Sequence, residues 1–113
     1  MTVPPLSEAH LYDILLKEEA DLRPKAERMW AVVKIEPKRW TAPGYGSGAP
    51  TFWAIGLFGK RVIWYNEIEC EFTVSDFKKY GEIGEGDSPC QNELSLILEY
   101  LIRRVEGEQA HTS

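Results

Sequence analysis

Two β-prone runs with only two residues between them constrain this chain more than any other feature. Phe52-Trp53-Ala54-Ile55-Gly56-Leu57-Phe58 and Arg61-Val62-Ile63-Trp64-Tyr65 flank Gly59-Lys60. A two-residue loop with Gly first suits a type II′ hairpin turn, because glycine takes a positive φ with no Cβ to clash. Pairing Phe58 with Arg61 across that turn sets Leu57 opposite Val62, Ile55 opposite Trp64 and Trp53 opposite Asn66. This register predicts one apolar sheet face, the kind that packs against a helix. The next segment, Glu67-Ile68-Glu69-Cys70-Glu71-Phe72-Thr73-Val74, alternates polar with apolar residues at the period of a half-buried strand. Ile68, Cys70, Phe72 and Val74 are therefore expected to extend the buried face, with a bulge or bend at Asn66. Glu67, Glu69 and Glu71 would then project from the other face, about 7 Å apart.

The segments on either side supply helices. Ser7 reads as an N-cap with Glu8 in the positive first turn, and Leu6 is placed to staple against Leu11. Leu11, Ile14, Leu15 and Leu22 form one stripe, and the helix is expected to stop near Leu22, ahead of Pro24. Pro24 can open a short helical turn through Arg28, after which Met29 to Ile35 reads as a strand ended by Pro37. Residues 41–50, rich in Gly and Pro, form a loop. Ser75 is a candidate cap for a helical turn over Asp76–Tyr80, closed by Gly81 as a left-handed residue. Ser88-Pro89-Cys90-Gln91 has the form of a helix start. It precedes a stripe of Leu94, Ile97, Leu98, Leu101, Ile102 and Val105, and the chain is expected to fray from Gly107. The order predicts one α+β domain over residues 1–113, with 1–6 and 107–113 flexible. Its architecture is a mostly antiparallel sheet of three to five strands, with the N-terminal and C-terminal helices packed on one face.

Charge is unevenly placed. Residues 23–39 carry six basic side chains against Glu27 and Glu36, a net of +4, while residues 67–93 carry eight acids against Lys78 and Lys79, a net of −6. The overall charge of −5 argues against nucleic acid as a partner, since a phosphate backbone needs clustered Lys and Arg. No apolar run approaches the roughly 20 residues that span a bilayer, so no membrane role is expected. The opening residues Met1-Thr2-Val3-Pro4-Pro5 lack the pattern of a signal peptide, and Cys70 and Cys90 make no disulfide framework. Together these features place the chain in the cytoplasm with reduced thiols.

No motif for catalysis stands up. Gly44-Tyr45-Gly46-Ser47-Gly48 lacks the Lys-Ser/Thr ending of a phosphate loop and the helix start of a dinucleotide fingerprint. Ser47 has only His10 and His111 as conceivable bases, one on the first helix and one near the C-terminus. Cys70 at an inward strand position would be inert. Cys90, read at a helix N-terminus, would be the more reactive thiol, although no His or second Cys sits beside it in sequence. Two Cys and two His show none of the paired spacings of a zinc site. The loop acids Glu82, Glu85 and Asp87 lack the spacing of a calcium loop. No cofactor is expected.

The acidic row remains. Three like charges along one strand are tolerated only where that face is wet or meets a cation-rich partner. The plain reading is a solvated face that discourages edge pairing. The functional reading is a docking surface formed by Glu67, Glu69 and Glu71. On that reading the chain is a small, acidic, non-enzymatic interaction domain for a basic protein, of the kind exemplified by bacterial immunity or antitoxin proteins. The analogy rests on size, charge and missing catalytic groups. The alternative is a small-molecule binding protein or minor enzyme, with Trp40, Tyr45, Trp53 and Tyr65 lining a site under loop 41–50.

Overall fold

The structure is a computed structural model that describes residues 6–45, 50–84 and 89–110. It holds helices α1 (Glu8–Ala20), α2 (Pro24–Val33) and α3 (Leu94–Ala110), and strands β1 (Lys34–Thr41), β2 (Thr51–Phe58), β3 (Arg61–Asn66), β4 (Glu71–Asp76) and β5 (Cys90–Gln91). The strands form one antiparallel sheet in the order β1-β2-β3-β4-β5. All three helices pack on one face, so the expected α+β class holds, at the upper limit of the strand range.

The hairpin turn is as the sequence predicts. Gly59 has φ +60 and Lys60 is not among the positive-φ residues, which fits the II′ geometry. The pairs Phe58↔Arg61 and Leu57↔Val62 follow. The register then slips: Gly56 faces Ile63, Ala54 faces Trp64, and Ile55 is the extra residue of a β-bulge between them. Beyond the bulge Trp53 pairs with Tyr65 rather than Asn66.

One inserted residue changes what each face carries. Ile55, Ile63, Tyr65, Phe72 and Val74 face the helices, where they meet Leu11, Leu15, Trp30, Val33, Leu94, Ile97, Leu98 and Leu101. Val62 and Trp64 lie on the opposite face with Trp40, Phe52 and Ala54, and Leu57 packs against them. The expected grouping of Ile55 with Leu57, Val62 and Trp64 under the C-terminal helix is therefore corrected, with Ile55 alone on that side. The sheet is apolar on both faces, and the second face builds a core of its own.

That second core is covered by the chain after β4. Ile83 donates its N–H to the Thr41 carbonyl at the end of β1 (2.8 Å), and the adjacent Gly84 donates to the Asp76 carbonyl at the end of β4 (3.0 Å). Two non-neighbouring strand ends are thus joined through two consecutive residues, so the sheet curls over the face away from the helices. Phe77 and Ile83 enter that core, and the Trp40 ring meets Phe77 edge-on at 5.1 Å and Tyr80 at 4.9 Å. Trp64, fully buried, donates its indole N–H to Ser75 Oγ at 2.9 Å.

Several local readings are revised. Residues Met29–Val33 are helical, not a strand: α2 runs from Pro24 to Val33 and buries Ala26, Trp30 and Val33, the i, i+4, i+7 face of a helix. The strand begins at Lys34 and passes through Pro37, which sits in the register irregularity between Lys34 and Lys38, where its missing N–H costs no ladder bond. Ser75 lies inside β4, where its Oγ accepts from the Trp64 indole, and no helical turn follows Asp76, although Gly81 does take φ +93. Cys90-Gln91 is the short edge strand β5, and α3 starts at Leu94. Its first N–H is accepted by Glu18 Oε1 from α1 at 2.8 Å, a cap supplied from a distant helix. α3 also continues past Gly107 to Ala110, and the Leu6 carbonyl accepts from Arg39 and Trp53, while residues 1–5 and 111–113 lie outside the described residues. Ser7 caps α1 as predicted, accepting from the His10 N–H at 3.1 Å.

Gly56 sits where α2 meets the sheet. A Cβ there would lie 3.0 Å from Ile63 Cδ1 and 3.3 Å from both Trp30 Cζ3 and the Val33 carbonyl. Gly56→Ala is expected to destabilise the protein by ~1–3 kcal/mol through overpacking. Leu98→Ala, at a position with no exposed surface, is expected to cost ~2–5 kcal/mol. Both are read from denaturant melts, and a loss under about 0.5 kcal/mol for Leu98→Ala would show that α3 is not part of the core.

Candidate functional site

The acidic stretch does not form a strand from Glu67. β3 ends at Asn66, and residues 67–70 make a turn before β4 begins at Glu71. The Asn66 side chain directs it: Oδ1 accepts from the Ile68 N–H at 3.0 Å and the Glu69 N–H at 3.1 Å, an Asx arrangement that reverses the chain. Cys70 completes the reversal with φ +57, a left-handed conformation uncommon for a residue with a Cβ. The alternation of polar and apolar residues that suggested a strand thus runs through a turn, and the first two of its expected inward positions do not point inward, whereas Phe72 and Val74 do. Ile68 is 72% exposed and Cys70 is also exposed.

The three glutamates consequently occupy three settings. Glu67 is an internal tie. Its carboxylate pairs with Arg39 Nη1 at 2.5 Å, accepts the Leu6 N–H, and is largely covered. Arg39 lies over the Trp53 ring, 4.5 Å from its centre, and donates to the Thr51 carbonyl at 3.0 Å and the Leu6 carbonyl at 2.7 Å. Glu69 stands exposed on the turn. Glu71 is half-buried on β4, on the face shared with Asn66 and Thr73, where it hydrogen-bonds the Cys90 thiol across the β4–β5 pair. No salt bridge involves Glu69 or Glu71 among the described residues. The expected row of Glu67, Glu69 and Glu71 on one strand face is corrected to a corner at which Glu69 and Glu71 flank an exposed turn.

The aromatic set does not converge either. Trp53 and Tyr65 are a cross-strand pair on the helix side, whereas Trp40 belongs to the opposite core and is buried. The side chain of Tyr45 lies outside the described residues, as do Gly46, Ser47, Gly48 and Ala49 of the loop. Trp40 and Tyr65 are separated by the sheet itself and cannot line one cavity. Tyr65 packs on Phe72 with ring centres 5.0 Å apart. Burial, followed by a hydrogen bond and charge from Cys70 and the charges of Glu18 and Glu67, pushes its phenol up to about 12.

The cysteines also read differently in three dimensions. Cys90 is not at a helix N-terminus. Its hydrogen bond to Glu71, then burial, then the Glu71 and Glu69 charges hold the thiol pKa above its ordinary value, the reverse of activation. No group of three or more His, Cys, Asp or Glu among the described residues is arranged to hold a metal ion. Nor is any described helix long and apolar enough to cross a membrane. Glu82, one of the three loop acids, forms a parallel bridge with Thr41; Glu85 and Asp87 lie outside the described residues.

Sequence reasoning missed Glu18 and Glu19, which make long-range contacts from the end of α1. Glu19 Oε2 accepts the Trp30 indole N–H and the Lys34 ammonium, each at 2.6 Å. Burial raises the Glu19 pKa, but these two hydrogen bonds and the Lys34 charge outweigh it, and the net shift is downward. Nothing in a helical acid pair distinguishes a solvated face from a cap for another helix, so no local signal pointed to them. No family model matches the chain, and neither the curated proteins nor the solved structures searched hold a match.

The Cys90–Glu71 contact yields a direct test. Removing the carboxylate charge in Glu71→Gln is expected to lower the Cys90 pKa and speed its alkylation by iodoacetamide severalfold at neutral pH, with Cys70 as the internal comparison. Peptide mapping after timed quenching measures both rates.

Proposed function

We propose that the chain is a non-enzymatic interaction domain that binds a basic protein, a role of the immunity or antitoxin kind, through the corner formed by the 67–70 turn. The observation that carries this reading is the combination of rigidity and display at that corner. Asn66 fixes the backbone by two hydrogen bonds, Arg39 and the Leu6 N–H hold Glu67 from beneath, and the turn presents Ile68 with most of its surface in water. A pre-ordered turn loses little conformational freedom on association, so its contacts convert more fully into affinity. Glu69 and Glu71, without cation partners of their own among the described residues, supply the charge that steers a basic surface. The role of Glu67 on this reading is support for the turn rather than contact. The cytoplasm, where the thiols stay reduced, is the compartment that accords with two free cysteines.

The experiment separates steering from folding. In Glu69→Gln/Glu71→Gln, thermal stability should stay nearly unchanged, because neither carboxylate is in a salt bridge among the described residues. A basic partner recovered by affinity capture should associate more slowly with this variant by surface plasmon resonance. Its on-rate for the wild type should fall as salt rises, because attraction between opposite charges is screened over roughly 8–10 Å. Ile68→Ala should chiefly speed dissociation. On-rates that are equal for wild type and double variant at low salt would return the corner to an ordinary solvated turn.

A further inference from the structure

Helix α1 is tied to the rest of the molecule at both ends by carboxylates. Just before the helix, the Leu6 N–H donates to Glu67, and the Leu6 carbonyl accepts from Arg39 Nη2 at 2.7 Å and the Trp53 indole at 2.8 Å. Glu67 is itself the ion-pair partner of that arginine. At the far end Glu18 takes the first N–H of α3, and Glu19 takes Trp30 and Lys34. Between these ties the helix commits only Leu11 and Leu15 fully to the core, against Leu94, Ile97, Leu98 and Leu101 from α3. No backbone hydrogen bond joins α1 to the sheet among the described residues.

We propose that α1 is an acid-releasable strap: when the Glu19 carboxylate is neutralised, α1 leaves the domain while α2, the sheet and α3 remain folded, baring the apolar side of α3. Its small share of the core makes α1 a candidate for local opening below the free energy of global unfolding.

The direction with pH follows from the groups that face each tie. Glu19 faces Lys34, a cation it loses on protonation, whereas Glu67 at the other end faces Arg39 and the Tyr65 phenol. Glu18 differs. It shares a cleft with Asp21, Glu93, Glu99 and Arg23, and its contact is the backbone cap of α3 rather than an ion pair. Release in acid is therefore assigned to Glu19. The remaining charged side chains of α1, Glu8, Asp13 and Lys17, are exposed. The Glu19 pKa is lowered in the folded state, so its stabilisation is present above the unfolded value and is lost as pH falls through the folded one.

Hydrogen exchange read by mass spectrometry on the full chain tests this at neutral pH and near pH 4, with intrinsic rates corrected for pH. The expected result in acid is exchange roughly tenfold or more faster across α1, with β2 and β3 unchanged. Glu19→Gln should show the same selective loss at neutral pH, without acid. Exchange that rises in α1 and in β2–β3 together would overturn the proposal. So would α1 protection that is unchanged in Glu19→Gln.

Discussion

The approach of α2 to the sheet at Gly56 is the contact on which the rest of the fold depends. The Val33 carbonyl and the Trp30 ring come so close to β2 that a methyl group at Gly56 would press on both at 3.3 Å. That closeness is compatible with strand pairing only because the neighbouring residue, Ile55, is bulged out of the ladder. The bulge places two consecutive residues toward the helices, one large and one absent of side chain, so that Ile55 fills the core while Gly56 lets the helix down onto the strand. Everything beyond it inherits the new parity. Ala54 and Trp64 turn away from the helices, and a second apolar face exists that needs its own cover.

That cover explains an odd property of the sequence, its wealth of aromatic residues for its length. The helices account for Trp30, Tyr65 and Phe72; the far face requires Trp40, Phe52 and Trp64, with Phe77 and Tyr80 laid across them. A sheet with one buried face would have needed fewer. The aromatics are in this sense structural.

The fold class, the hairpin, the II′ turn and both flanking helices were legible because each rests on a local pattern. Gly59 and the 3.6-residue stripes of α1 and α3 state their own geometry. α2 was illegible for a definite reason: Trp30, Val32, Val33 and Ile35 have strand propensity, and only the spacing of Ala26, Trp30 and Val33 points to a helix. Tertiary burial decided between them, and Val32 stands exposed at 81% as the cost of that choice. The acidic stretch failed differently. Its alternation is real, but Asn66 offers the backbone two side-chain hydrogen bonds that compete with the ladder, and the chain turns over residues 67–70, where the strand reading would run on to Val74. Glu67 became a tie and Glu71 a thiol partner through neighbours 28 and 19 positions away in the chain, Arg39 and Cys90. No local rule reports such distances.

The stitch made by Ile83 and Gly84 bears on how the chain reaches this state. The hairpin and the helices can form from neighbouring residues, but the outer margin of β1 is completed only when a segment some 40 positions later arrives at Thr41. Contacts of such sequence separation carry a large loop-closure entropy and are made late in folding. Until then the end of β1 presents open peptide groups to any passing strand. The rest of that edge carries Lys34, Pro37 and Lys38, residues that resist intermolecular pairing. The nascent margin is thus guarded by its own composition during the interval before the stitch closes.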